Sequence, residues 1–205
     1  YVEPYSGAAS IFWHLKPRSV EVLNDLHEEI INLWRVLQDP GQFEQLAHRL
    51  TWTPYSLAEF RRALADESDN PIDRTWAFFV RQNQGFSGEA KAEGNWGRAF
   101  TANRNMADTA CSWRGRLQML DWWHKRLSRV QLDCRDALVV IRYWDSADTV
   151  FYLDPPYLHD ARVKGNTDSY IHECDNSHHR ELVELLLTIQ GQAVLSGYPN
   201  SSYDP

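Results

Sequence analysis

The sequence predicts an open α/β sheet interrupted by a helical insertion. Two observations carry this. Five short runs rich in apolar, β-branched and aromatic residues, at 1–5, 19–23, 130–134, 149–153 and 193–198, read as strands. Residues 40–129 then break the alternation of strand and helix with stretches that read only as helices and polar loops. The expected organisation is one sheet domain from residues 1–39 and 130–205, with 40–129 inserted. A chain of 205 residues suits one domain with an insertion better than two full domains.

Composition narrows the class. Hydrophobic residues make up 43% and charged residues 24%, an ordinary globular mix. No apolar run approaches the length of a membrane-spanning helix, and no signal peptide is visible. Cys111, Cys134 and Cys174 are odd in number and far apart, which argues against a disulfide framework and for a reducing cytoplasm. The net charge of −7 hides a split: residues 74–129 carry ten Lys or Arg against four Asp or Glu, a local surplus of +6. A basic segment in an acidic protein can still meet phosphate.

The elements follow in order. Tyr1 already lies in a strand and no initiator Met precedes it, so the chain is expected to be a fragment cut at both ends. Ser6-Gly7-Ala8-Ala9-Ser10 is a small-residue turn, and Ile11-Phe12-Trp13-His14-Leu15 is expected to start a helix. Strand, tight turn and helix is how a nucleotide-binding α/β unit opens, although the three-glycine fingerprint is missing. The second strand ends in Asn24-Asp25, and Asp25 lies 18 residues after Gly7. A carboxylate there can accept hydrogen bonds from ribose hydroxyls, and Asn24 or Asp25 can equally cap the helix expected over 26–37. In that helix Leu26, Ile30, Leu33, Trp34 and Leu37 read as core.

Asp39-Pro40-Gly41 stops the helix. Helices are then expected over 42–50, 56–64, 72–81 and 113–127, with Trp76, Phe79 and Val80 facing inward and residues 89–110 forming a loop. Basic and aromatic residues interleave through the insertion: Arg74, Trp76, Arg81, Phe86, Lys91, Trp96, Arg98, Phe100, Arg104, Trp113, Arg114 and Arg116. That mixture suits phosphate contact with base stacking. An aromatic core with solvated arginines explains any single member as well. After the third strand come Arg135-Asp136-Ala137 and a short helix or connection over 138–144. Residues 158–176 read as a polar loop over the site, and 177–190 as an amphipathic helix. His172, Cys174, His178 and His179 match no zinc spacing, so no metal is expected.

The most specific stretch is Asp154-Pro155-Pro156-Tyr157 at the end of the fourth strand. Two prolines forbid both helix and ladder, so the backbone leaves the strand stiffly. Ligands of an open α/β sheet bind just beyond such strand ends. An exocyclic aromatic amine is a poor nucleophile because its lone pair is delocalised into the ring. A carboxylate and a backbone carbonyl can accept its two hydrogens and turn the lone pair outward, while Tyr157 stacks on the base.

Together these stretches resemble the Dam-type, alpha-class, adenine-N6 DNA methyltransferases, over nearly the whole chain and in the family's order. Residues 1–10 resemble the cofactor motif, usually written with Phe where Tyr5 stands and Gly where Ala9 stands; Ala9 suits its place if φ there is negative. Asn24-Asp25 matches the acidic motif for the cofactor ribose, and Arg135-Asp136-Ala137 the acidic position near the cofactor adenine. Residues 75–88, with Phe86-Ser87-Gly88, resemble the lead into the target-recognition region, and Val194-Leu195-Ser196-Gly197-Tyr198 a later strand motif.

The resemblance implies a Rossmann-like, S-adenosylmethionine-dependent methyltransferase sheet with a helical target-recognition insertion. It implies catalytic roles for Asp154, Pro155, Pro156 and Tyr157, and cofactor roles for Glu3, Pro4, Tyr5, Gly7, Asp25, Asp136, Ala137 and Asp154. Arg81, Phe86, Lys91, Arg98, Arg114 and Arg116 become the expected DNA contacts. Double-stranded DNA is the expected partner of a monomer or weak dimer in a bacterial or phage-host cytoplasm, within a restriction-modification system or another methylation role. Methylation of cytosine N4, RNA or a protein glutamine stays open beside this reading, as does an inactive DNA-binding module.

Overall fold

The computed structural model describes residues 1–86, 92–156 and 176–197. In chain order the regular elements are β1 (Val2–Glu3), β2 (Val22–Asn24), α1 (Glu28–Gln38), α2 (Pro40–Thr51), α3 (Leu57–Leu64), α4 (Pro71–Gln84), β3 (Ala102–Asn103), β4 (Met106–Ala107), α5 (Asp108–Gln118), α6 (Leu120–Leu127), β5 (Gln131–Asp133), α7 (Ala137–Trp144), β6 (Val150–Leu153), α8 (Asn176–Leu186) and β7 (Gln192–Leu195). Single 3-10 turns occupy Phe12–His14 and Glu93–Asn95. The chain divides into two compact units, residues 1–31 with 130–205 and residues 32–129. No helix among the described residues is long and apolar enough to cross a membrane.

The first unit is built on a five-stranded sheet of order β5-β2-β1-β6-β7. Every pairing in it is parallel. The chain steps from β1 through β2 to β5 on one side, then returns past β1 to lay down β6 and β7 on the other. The strand order therefore reverses between β1 and β6, and a crevice opens beyond carboxyl ends at such a reversal. The strands are short because only their central residues are covered. Val2, Val22, Phe151 and Leu153 are buried together with Leu138, Val140 and Ile141 of α7 and Leu182 of α8. Truncating a buried aromatic such as Phe151 would cost about 3–5 kcal/mol, so this cluster is the unit's main cohesive term.

The second unit starts its helices with matched local chemistry. Asp39 caps α2 by accepting the Gln42 amide at 2.8 Å, with Pro40 as the first helical residue. Asn70 caps α4 by accepting Ile72 N at 2.8 Å, again with proline at the first position. Ser56 caps α3 through Glu59 N. Such caps contribute about 1 kcal/mol each, and proline at that position gives up an amide with no intrahelical partner. Trp76, Phe79 and Val80 are buried on α4 as expected. Trp76 Nε1 donates to Thr53 Oγ1 at 2.9 Å, and the Arg49 guanidinium lies 4.1 Å over its ring.

Several elements depart from expectation. The stretch 11–15 makes only a 3-10 turn, because Pro17 disfavours helix in the residues before it. Leu26 is exposed rather than core: it precedes the first turn of α1, whose buried positions include Ile31, Leu33, Trp34, Val36 and Leu37. The expected helix over 113–127 is two helices. At Met119 the backbone amide turns back three residues to Arg116, and a new ladder starts. The expected loop over 89–110 contains a hairpin of β3 and β4 and the first turn of α5. Arg104 and Asn105 at the hairpin tip both have positive φ, 49° and 61°, the handedness of the tight turn that matches strand twist. Asn favours that region and Arg does not, so the sequence carried half of the signal. Helix α8 ends at Leu186, short of 190.

Gly191 enters β7 where a side chain has no room. A Cβ would fall 2.7 Å from the Thr149 carbonyl and 3.0 Å from that of Ser146, both backbone. Gly191→Ala is therefore expected to destabilise the fold by about 1–3 kcal/mol, read as a lower urea midpoint at unchanged slope.

Candidate active site

The reversal of strand order places the ends of β1 and β6 side by side, and the chemistry gathers there. Asp154 directly follows β6, and its side chain is exposed at the carboxyl edge. Pro155 is buried and Pro156 half-buried. The backbone around them is held through carbonyls: Ser196 N donates to Leu153 O at 2.8 Å, and His179 Nε2 donates to Pro156 O at 3.0 Å. Tyr157, the expected stacking ring, lies outside the described residues, as do Lys91, Ser87, Gly88, Tyr198, His172, Cys174 and nearly all of the stretch 158–176.

One strand over, β1 runs into the small-residue turn. Ser6 N donates to Asn24 O at 2.8 Å, and Gly7 N to Asp25 Oδ2 at 2.8 Å. Gly7 has φ +46°, which glycine adopts without steric cost. Ala9 has φ +53°, so the condition of negative φ is not met. A Cβ in this region costs about 1–2 kcal/mol, and the fully buried methyl offsets part of it. Ser6 Oγ is buried with no hydrogen-bond partner among the described residues.

Asp25 does not cap α1 as expected: His27 stands at the cap position, its Nδ1 accepting Glu29 N at 3.2 Å and its carbonyl accepting Ile30 N and Ile31 N. Asp25 Oδ1 accepts His27 N at 2.8 Å ahead of α1 while Oδ2 holds Gly7, and the side chain stays half-exposed. Asn24 is not a cap. It is buried and donates Nδ2 to Pro4 O at 2.7 Å and to Arg135 O at 3.0 Å, while its Oδ1 accepts Arg135 N at 2.9 Å. Asp136 is exposed and caps α7, its Oδ1 accepting Leu138 N at 2.9 Å; Ala137 beside it is buried. Arg135 Nε donates to Asp133 at 2.8 Å, and this bond holds the Asp133 carboxyl below its usual range.

Glu3 lies beneath the turn and is 1% exposed. The Tyr1 hydroxyl donates to it at 2.6 Å. Burial pushes its carboxyl up to about 7, and the neighbouring charge of Asp154 acts in the same direction, against the Tyr1 and Phe12 hydrogen bonds. The structure thus brings Glu3, Pro4, Tyr5, Gly7, Asp25, Asp136, Ala137 and Asp154 to one edge of one sheet. Sequence reasoning missed Asn24 as a connector and weighed His178 and His179 only as metal ligands. An amide side chain at a strand end beside an acidic residue was the available signal for the first.

In the second unit the proposed DNA contacts differ in setting. Arg98, Arg114 and Arg116 are exposed, as is Phe86. Arg81 is half-buried and donates to Ala63 O at 2.8 Å. Trp76 and Trp113 belong to the core, whereas Phe100, at 96% exposure, leads into the β3–β4 hairpin carrying Arg104.

A carboxyl whose pKa rises on folding holds its proton more tightly in the native state. Its stabilising contribution is complete below its ordinary value of 4.5 and is lost as pH rises through about 7. Glu3→Gln, which cannot ionise, is expected to gain in thermal midpoint over the wild type between about pH 4.5 and about pH 8. A difference that stays flat over that range would remove Glu3 as the titrating group.

A family model described as D12 class N6 adenine-specific DNA methyltransferase matches residues 1–202. No match is found among curated proteins. The parallel sheet, its strand reversal and the acidic motif at that reversal agree with the match over nearly the whole length, and the chain belongs to the D12 class of N6 adenine-specific DNA methyltransferases.

Proposed function

We propose that transfer to adenine N6 takes place at the carboxyl edge where β1 and β6 meet, with S-adenosylmethionine as the methyl donor. The observation that supports this best is placement. Asp154 is exposed at the strand reversal, one strand from the turn that carries Ser6, Gly7 and the Asp25 bond. The residues fit such a donor. Ser6 Oγ lacks a partner among the described residues, Asp25 keeps a half-exposed carboxylate, and Asp25 and Asp136 give the edge a negative charge suited to a sulfonium. Arg135, the cation nearest in sequence, is held by Asp133.

Asp25 would hold the ribose hydroxyls, the turn from Glu3 to Gly7 the aminoacyl part, and Asp136 and Ala137 the adenine end. When bound, S-adenosylmethionine supplies an electrophilic methyl group. Asp154 and the Pro155 carbonyl accept the two N6 hydrogens of the target base and orient its lone pair. Asp154 need not be a strong base, because the amine becomes acidic once alkylated. Alignment then carries most of the rate. The target atom lies inside the duplex stack, so the base must flip out, at a cost of a few kcal/mol offset by stacking and phosphate contacts. Tyr157 is proposed for the stacking.

The second unit is proposed as the DNA-recognition part, with Arg98, Arg114 and Arg116 contacting phosphates and Phe86 meeting bases; Arg81 and Lys91 complete the set. Phe100 and the Arg104 hairpin join it on their exposure. The working form is taken as a monomer or weak dimer in a cytoplasm.

Asp154→Ala is expected to lower N6-methyladenine formation at least about a thousandfold while leaving the dissociation constant for S-adenosylmethionine within about threefold. Nucleoside mass spectrometry and calorimetry read the two quantities, and equal loss in both rejects the orienting role. Asp25→Ala is expected to weaken cofactor binding by about 10- to 100-fold, the worth of hydrogen bonds to a charged group. Unchanged cofactor affinity would remove Asp25 from the pocket.

A further inference from the structure

The proline pair creates a problem that the chain solves from another element. Pro155 and Pro156 have no backbone N–H, so the two-residue segment that follows Asp154 cannot be anchored by donating. Its carbonyls are the handles left. The Pro155 carbonyl is the one proposed to meet the substrate amine. The next, that of Pro156, accepts from His179 Nε2 at 3.0 Å. His179 is 1% exposed, on the first turns of α8, and Leu182 three residues on is fully buried in the sheet's core. The donor is therefore fixed by a packed helix.

His178 makes the matching tie on the other side. Its Nε2 lies 2.7 Å from the Tyr5 hydroxyl, and the two rings meet edge to face at 6.1 Å. Tyr5 follows β1, as Pro156 follows β6. Neighbouring histidines thus reach the two loops that flank the strand reversal. Both Nε2 atoms are engaged with these partners.

We propose that His179 is a positioning residue for methyl transfer: by donating to Pro156 O it fixes the peptide planes of Asp154-Pro155-Pro156, and so the direction in which the Asp154 carboxylate and the Pro155 carbonyl present themselves to the amine. This rests on the reading of Asp154 as the orienting carboxylate. A misplacement of about 1 Å at reacting groups costs on the order of a hundredfold in rate without weakening binding. The expected signature is a loss in kcat with KM for S-adenosylmethionine preserved.

The test compares four proteins on a DNA duplex substrate with S-adenosylmethionine: wild type, H179L, H179Q and D154A. H179L keeps the bulk and removes the donor, and should lower kcat by about 10- to 100-fold with the cofactor KM within about threefold. H179Q restores a donor and should recover most of that loss. A folded H179L with wild-type kcat, or an H179Q as impaired as H179L, overturns the inference. If D154A itself keeps wild-type activity, the underlying site reading fails instead, whatever His179 does. Should H179L not fold, nitrogen-15 NMR of the wild-type imidazole decides. A proton on Nε2 supports the inference, and a neutral ring protonated only on Nδ1 overturns it, since it has nothing to give the carbonyl.

Discussion

Asn24 carries the interaction on which the site's geometry depends. At the carboxyl ends of parallel strands the ladder stops, and the last backbone groups lose their partners. Pro4 O, Arg135 O and Arg135 N are three such groups, and the Asn24 carboxamide serves all of them with two donors and one acceptor. A buried polar group left alone costs about 1–3 kcal/mol; that penalty applies to the buried bond to Pro4 O and less to the part-buried bonds to Arg135. An apolar residue would pack in the same space and satisfy none of them. Aspartate would lack the donors. With Asn24 in place, the turn after β1 and the turn after β5 are fixed to the end of β2, and Asp25 follows from the same backbone.

The electrostatics of the edge follow from that arrangement. Parallel strands bring their terminal acids to one side, so Asp25, Asp136 and Asp154 share an edge and Glu3 lies buried beneath it. Such crowding disfavours further negative charge, which is why the Glu3 carboxyl, buried already, is pushed further by Asp154. A cationic ligand relieves the same crowding. On the proposed reading this charge favours a cationic guest, and the proline pair removes donors that would have favoured an anion.

The second unit rests on different physics. Its helices start on Asp39, Ser56 and Asn70, side chains that satisfy amides within three residues, and its core closes around Trp76. The basic surplus read from the sequence divides on folding. Arg81 donates to the Ala63 carbonyl and Arg126 is buried, while Arg98, Arg114 and Arg116 stay on the surface. Aromatic residues divide likewise, with Trp76 and Trp113 inside and Phe86 and Phe100 outside. Composition alone cannot make that division, because a tryptophan for stacking and one for packing look the same in a string.

The five strands, most of the helices and the acidic strand end were legible in the sequence because each is specified by neighbours: short apolar runs, apolar residues at helical spacing, a pair of prolines; the capping side chains Asp39, Ser56 and Asn70 were not read as caps. Asp154 at the edge of β6 and Asp25 at the edge of β2 follow from the same local rules. Only the tertiary structure decided the rest. It set the strand order that puts β1 against β6, the positive φ at Ala9, and the meeting of Asn24 with Arg135 across 111 positions and of His179 with Pro156 across 23. The physical reason is that a hydrogen bond between distant residues depends on where two backbones come to rest, and that is settled by burying a common core rather than by any stretch of sequence on its own.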